Sequence, residues 1–179
     1  MKILITYSPI ESGKGIPQLS QNRQFQWTAG GPMAYFIYPV VPAYAASLLK
    51  KEGYEVYWLD GLAEKLTYDQ WLNRVKEIQP DIIAIETKTP VVKYHWRIIN
   101  ELTKLQINES KIVLMGDHVT AMPEESLENC PVDFIITGGD YDFGLLSIAN
   151  HLSKGEKLES GIYCRNSQNT KYKIQGLFN

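Results

Sequence analysis

Cysteine is scarce in this chain, with only Cys130 and Cys164 among 179 residues. Two thiols cannot build a disulfide framework, and their spacing fits no metal knuckle. A reducing compartment with both thiols inert is the expectation. Neither sign of charge is in excess: 18 Lys and Arg face 20 Asp and Glu, a net charge of -2. A basic nucleic-acid footprint is therefore missing, as is a cationic stripe for a membrane surface. Apolar runs are short, and none approaches the ~18 residues of a spanning helix. Met1-Lys2-Ile3-Leu4-Ile5 enters a strand pattern at once, without a signal-peptide core. These absences argue against a secreted scaffold, a nucleic-acid partner and a membrane protein, and the expected location is cytoplasmic. What is present is ordinary for a folded domain: 44% hydrophobic and 21% charged residues, enough to fill one core.

Five β-type runs recur, at about 2–7, 54–59, 81–87, 111–116 and 132–137. Ile82-Ile83-Ala84-Ile85 and Phe134-Ile135-Ile136 are continuously apolar, as strands covered on both faces are. Helical patterns lie between the strands. Val41, Ala45, Leu48 and Leu49 share one face of a helix that stops at Gly53, where a left-handed cap belongs. Thr67 and Gln70 form a capping box ahead of Trp71, Leu72, Val75 and Ile78, and Pro80 ends that helix. A third helix, about 92–105, buries Trp96, Ile99 and Leu102; Pro123 opens a short fourth one. A fifth, about 142–152, buries Leu145, Ile148 and Leu152. The alternation predicts an α/β, doubly wound, flavodoxin-like or Rossmann-like domain: a five-stranded parallel sheet in the order 2-1-3-4-5, helices on both faces. Residues 1–160 are expected to form this domain. Residues 161–179, with Tyr163 and Tyr172 flanking Asn166-Ser167-Gln168-Asn169, are expected to be a small hairpin or a linker.

Between the first strand and its helix lie about thirty residues, from Ser8 to Tyr38, where such loops usually take only ~2–6. Ligands of open α/β sheets bind at the carboxyl edge of the strands, so a long connection there points to a site. A poorly ordered insertion covering the sheet edge is the plainer alternative, and Phe25, Trp27, Tyr35 and Phe36 argue against disorder. The other edge loops are polar or glycine-rich: Glu86-Thr87-Lys88-Thr89-Pro90, Gly116-Asp117-His118-Val119-Thr120 and Gly138-Gly139-Asp140-Tyr141-Asp142. Their glycines admit close approach of a ligand, and the hydroxyls of Thr87, Thr89 and Thr120 suit amide or phosphate groups.

Several edge ligands are disfavoured by what these loops lack. Ser8-Pro9-Ile10-Glu11-Ser12-Gly13-Lys14-Gly15 is not the G-x-G-x-x-G of a dinucleotide site, and no G-x-x-x-x-G-K-[ST] phosphate loop occurs. The acidic residues of a phospho-receiver, a Thr/Gly-rich flavin phosphate loop and a G-x-S-x-G elbow are missing too. His118, beside Asp117 at a strand end, is either a site residue or a histidine closing its turn. His95 and His151 lie on helices, where packing or dipole complementation is the usual role. Asp117 sits on a separate loop from Asp140 and Asp142, and all three serve as well for helix caps as for magnesium.

A family resemblance runs through these segments. Tyr38-Pro39-Val40-Val41-Pro42-Ala43-Tyr44-Ala45-Ala46-Ser47-Leu48-Leu49-Lys50 resembles the "YPP-LAYLAAYLK" segment of cobalamin-binding radical S-adenosylmethionine proteins. Gly53-Tyr54-Glu55-Val56 with Asp60-Gly61, and then Pro80-Asp81-Ile82-Ile83-Ala84-Ile85, are similar to that family's "G-H-E-V … D" and "PDIVAI". Gly116-Asp117-His118-Val119-Thr120-Ala121-Met122-Pro123-Glu124-Glu125 resembles "GG-H-T-x-x-PEE", and Val132 to Asp140 stands where the family has "VDFVVxGE".

The resemblance implies a cobalamin-binding domain that precedes a barrel carrying an iron–sulfur cluster and S-adenosylmethionine, often in methyl transfer to carbon or phosphorus. Here no C-x-x-x-C-x-x-C occurs, so the radical barrel is expected in cis or in trans and this chain is not expected to be catalytic alone. Other cobalamin modules carry D-x-H-x-x-G after the first strand, with histidine on cobalt. Residues 8–38 hold no histidine, so the implied binding is without that ligand. The implied cofactor contacts are Ser8, Pro9 and Tyr38 from the long loop, Thr87, Lys88 and Thr89 after the third strand, Gly116, Asp117, His118, Val119 and Thr120 after the fourth, and Gly138, Gly139 and Asp140 after the fifth. Gly116-Asp117 and Gly139-Asp140 depart from the family's usual glycine pair and Gly-Glu. A non-catalytic interaction or sensor domain that has lost cobalamin is the alternative, and a flavodoxin-like binder of another nucleotide a third reading.

Overall fold

Apolar runs such as Ile82-Ile83-Ala84-Ile85 are stable only with cover on both faces, and the chain supplies it by alternating strand with helix. A computed structural model describes residues 1–10, 15–17, 27–28, 37–165 and 173–175. Strand β1 (Lys2–Tyr7) is followed by two short strands, β2 (Ile16–Pro17) and β3 (Trp27–Thr28), paired antiparallel on their own. Then come α1 (Val40–Lys51), β4 (Glu55–Asp60), α2 (Tyr68–Ile78), β5 (Ile82–Glu86) and α3 (Val92–Leu105). After a single 3₁₀ turn the chain forms β6 (Lys111–Met115), α4 (Asp117–Ala121), α5 (Pro123–Asn129), β7 (Phe134–Ile136) and α6 (Tyr141–Lys154). Strands β8 (Ile162–Cys164) and β9 (Lys173–Gln175) close the described chain.

The main sheet runs β4-β1-β5-β6-β7-β8-β9. Its first five strands are parallel, in the expected 2-1-3-4-5 order, with Ile3 between Val56 and Ile82 and Thr6 between Leu59 and Ile85. The five-strand expectation falls short at one edge. The terminal hairpin joins the sheet, β8 antiparallel to β7 and β9 antiparallel to β8, which makes seven strands. Arg165 anchors that edge by donating to the carbonyls of Leu127, Cys130 and Val132.

Alternate residues of each strand feed two separate cores. Leu4, Ile83, Ile85 and Leu114 pack with Trp71, Val75, Trp96 and Ile99 of α2 and α3. Ile3, Ile5, Ala84, Val113 and Met115 pack with Ala45 and Leu49 of α1 and Leu145 and Ile148 of α6. Helices thus lie on both faces. The loops after β1 and β5 lead to helices on opposite faces, and the strand order reverses between these two strands. That reversal opens a crevice at the carboxyl ends of β1 and β5, the usual ligand position in open α/β sheets.

Candidate functional site

Most of the sequence-predicted residues line this edge as a row from β4 to β7, four strand spacings or about 19 Å. Ser8 and Pro9 follow β1 and are both buried, Ser8 with no exposure. Thr87 and Lys88, after β5, are 0% and 7% exposed, while Thr89 is exposed. Asp117 is exposed at the start of α4, as are Gly139 and Asp140 before α6. Tyr38, 66% exposed, stacks on Trp58 of β4 with ring centroids 6.2 Å apart. It therefore stands at the opposite end of the row from Gly139 and Asp140. The rest of the long first loop, apart from residues 8–10, 15–17, 27–28 and 37–38, lies outside the described residues, Phe25, Tyr35 and Phe36 included.

Hydrogen bonds tie neighbouring loops together. The Thr87 amide donates to Met115 O at 2.8 Å, which locks the β5 loop onto the end of β6. Gly116 makes that approach possible: a Cβ there would lie 2.1 Å from Thr87 O, and its φ of +125° suits glycine. Thr120 bridges the next pair of loops. Its hydroxyl donates to Gly116 O at 2.9 Å and accepts from the Gly138 amide at 3.0 Å, so this exposed residue ties the two loops together. Val119 does not line the edge. It is 0% exposed in the core with Leu114 and Leu127, because the short helix α4 turns that position toward the sheet.

His118 closes its turn from a buried position. Its Nδ1 lies 3.2 Å from Thr89 Oγ1, its ring meets the edge of Trp96, and Nε2 stands 3.1 Å from Glu125 Oε2 without hydrogen-bond alignment. Two features of the crevice were not legible as site residues. Tyr7 donates to Glu86 Oε2 at 2.6 Å across the β1–β5 gap, and burial, then the Glu86 charge, push the phenol's pKa well up. His95, on the first turns of α3, is fully buried with Nδ1 2.8 Å from Thr87 Oγ1 and Nε2 without a partner among the described residues. Burial lowers its pKa to about 4, so it is neutral at physiological pH. Helical side chains lean toward the helix N-terminus, and a histidine one turn into a helix that begins at a strand end is placed to reach back to that strand. That offset was the available signal.

The profile of the family described as "B12 binding domain" matches residues 27–154, most of the chain. This chain belongs to the B12-binding domain family. It is 31% identical over 172 residues to the uncharacterized methyltransferase PH0819 of Pyrococcus horikoshii, covering 96% of this chain and 34% of that protein. The B12-binding domain therefore spans about a third of that curated relative. An anaerobic magnesium-protoporphyrin IX monomethyl ester cyclase of Cereibacter sphaeroides is 30% identical over 102 residues, 56% of this chain and 16% of the cyclase. Among solved structures, the fold is similar to the cobalamin-dependent S-adenosylmethionine radical enzyme OxsB with aqua-cobalamin and S-adenosylmethionine bound. The match has a TM-score of 0.69 at 20% identity and covers 99% of this chain and 22% of that one. It is also similar to the radical S-adenosylmethionine methyltransferase TsrM of Kitasatospora setae with cobalamin and a [4Fe-4S] cluster bound, with a TM-score of 0.65 at 19% identity over 93% of this chain and 27% of that one. The resemblance expected from the sequence segments and the cofactor it implied, cobalamin, agree with these findings.

The B12-binding domain's own edge suits such a ligand. Among the described residues, Ser8 Oγ, buried at the end of β1, has no hydrogen-bond partner, and a buried hydroxyl left so costs about 1–3 kcal/mol unless something else meets it. A Cβ on Gly138 or Gly139 would meet nothing within 4 Å, so the β7 loop leaves open space above its backbone. Beside it, a cleft of about 240 Å³ is lined by Thr137, Gly138, Asp140, Phe143, Glu159 and Gly161 among others. No described helix is long and apolar enough to cross a membrane.

Proposed function

We propose that this chain holds cobalamin at the carboxyl edge of its sheet, with no histidine under the cobalt, as the cobalamin-binding module of a radical S-adenosylmethionine methyltransferase-type protein. The Ser8 hydroxyl, without a partner among the described residues, carries the reading, because it is a buried polar group awaiting a ligand at the topological switch point. The histidines support the second half. His95 Nδ1 faces Thr87, His118 Nδ1 faces Thr89, and His151 Nδ1 meets Glu156 O at the far end of α6. All three are engaged inside the fold, and none occurs between Ser8 and Tyr38.

Cobalamin, when bound, supplies a cobalt centre suited to methyl transfer, and the protein positions it. Ser8 and Thr87 are placed to meet the nucleotide tail in the crevice. Thr89, Asp117 and the glycines of the β7 loop flank it, Gly138 and Gly139 giving close backbone approach. Lys88 and Asp140 border the same row, and Tyr38 covers part of the corrin. The chain does not cleave S-adenosylmethionine alone; that chemistry and its iron–sulfur cluster belong to a barrel following residues 161–179, in cis or in trans. The length of the Pyrococcus horikoshii relative, of which this chain matches 34%, supports that arrangement.

The test is a visible spectrum of the purified chain after incubation with hydroxocobalamin and desalting. About one corrinoid retained per chain is expected. A colourless chain whose circular dichroism is that of a folded α/β domain would overturn the assignment, leaving an interaction or sensor domain. A yellow protein as purified would point to a flavin instead.

A further inference from the structure

His95 stands behind the crevice, and what it does there rests on the cobalamin reading above. Its neighbour Thr87 is held almost completely by its backbone: the amide bonds Met115 O at 2.8 Å and the carbonyl abuts Gly116. The direction of the Thr87 hydroxyl proton is the freedom that remains. The described hydrogen-bond partner of that hydroxyl is His95 Nδ1, at 2.8 Å in a site without solvent exposure. A neutral imidazole carries one N–H and one bare nitrogen. If Nδ1 accepted from Thr87, the proton would sit on Nε2, which has no partner among the described residues, and a buried orphan N–H is the rarer and costlier arrangement. If Nδ1–H donates to Thr87 Oγ1, only a lone pair is left bare.

We infer that His95 is a positioning residue whose Nδ1–H donates to Thr87 Oγ1, so that the Thr87 proton is directed to an acceptor atom on the nucleotide tail of the corrinoid. Ser8 and Thr87 follow β1 and β5, neighbouring parallel strands that flank the switch point, so the two hydroxyls are offered as donors to one ligand segment. His95 itself touches no ligand. Its part is to fix which way a neighbouring hydroxyl gives its proton.

Two measurements test this. Nitrogen-15 NMR of the ligand-free chain should show His95 protonated on Nδ1 and not on Nε2; the reverse tautomer overturns the inference. Binding is then compared for cobalamin and for cobinamide, which has the corrin but lacks the nucleotide tail. His95→Leu should weaken cobalamin about tenfold, the loss of roughly one hydrogen bond, and leave cobinamide unchanged. His95→Asn, whose amide nitrogen lies near the Nδ1 position, should restore most of the loss. Adding Thr87→Val to His95→Leu should cost less than its separate effect, since the two act as one unit. Equal weakening for both corrinoids, or none for either, overturns the inference, as does failure of His95→Asn to rescue. Should the leucine variant not fold, the tautomer and the asparagine variant still decide. A wild-type chain that binds neither corrinoid overturns the cobalamin reading instead, and the NMR result then stands alone on the His95–Thr87 bond.

Discussion

A single buried imidazole at the strand edge makes the stability of this domain depend on pH. Burial lowers the His95 pKa from 6.5 to about 4. In the unfolded chain the same group takes a proton near 6.5, so between those values the unfolded state binds more protons than the folded one. Stability therefore rises with pH across that window and falls on acidification through it. At about 1.4 kcal/mol per pH unit the loss reaches roughly 3 kcal/mol by pH 4. Carboxylates begin to titrate at the acid end of the same range, so the contribution is isolated by difference. Urea unfolding of the wild-type chain and of His95→Leu at pH 7.5 and pH 5 should show a smaller acid loss in the variant; parallel losses would mean that His95 is not the group responsible. In the sequence only its offset, one turn into the helix after a strand end, distinguishes this histidine from one packed on a helix. Its burial depends on α3 packing against the sheet, and that contact is tertiary.

At the scale of elements, the edge is built by glycines with opposite duties. Gly116 is required by the fold: its φ is +125° and a Cβ would lie 2.1 Å from Thr87 O and 3.0 Å from Thr87 N. Gly116→Ala should cost about 3 kcal/mol in urea unfolding, because backbone on both sides must shift. Gly139 is not required by packing, since nothing lies within 4 Å of its Cβ position. Gly139→Ala should leave stability within about 0.5 kcal/mol while weakening corrinoid retention, a separation that a purely structural glycine would not give. Most elements were legible because local signals agreed with the tertiary fold. The Thr67–Gln70 capping box is formed, with Thr67 Oγ1 accepting from the Gln70 amide and Gln70 Oε1 accepting from the Thr67 amide. Gly53 has the left-handed φ of +88° expected after α1. The edges of the sheet were less legible. β8 and β9 are three residues each, and whether such a hairpin joins a sheet or hangs free depends on partners far away in sequence, here β7 and Arg165. Among site residues, Thr120 and Val119 read as loop positions in a motif. The chain instead makes Thr120 a bridge between two loops and turns Val119 into the core. Tyr7 with Glu86 was invisible for a similar reason, since its two members are 79 residues apart.

Across the whole molecule, a ligand lodged at the switch point touches loops from opposite faces of the sheet, so its binding is coupled to global rather than local stability. Ser8 follows β1, whose helix α1 lies on one face; Thr87 precedes α3 on the other. A corrinoid that engages both must be released before the two layers separate. Binding to the folded state alone stabilises by RT ln(1 + [L]/Kd), about 2.7 kcal/mol at a hundredfold excess over Kd. For a domain of this size, each kcal/mol raises Tm by ~2–4 °C, so hydroxocobalamin at that excess should raise it by roughly 5–10 °C. The transition should stay single, followed alike by far-ultraviolet circular dichroism and by tryptophan fluorescence, since Trp71 and Trp96 sit in the core shared by α2 and α3. Cobinamide at the same multiple of its own Kd should shift Tm equally, because the linkage depends only on saturation. At equal total concentration it should shift Tm less, by the amount the tail contributes. A two-step transition in the presence of cobalamin would mean that the ligand holds only one layer, and would place it on the loops of β5 and β6, whose helices α3, α4 and α5 share one face, rather than across the β1–β5 crevice.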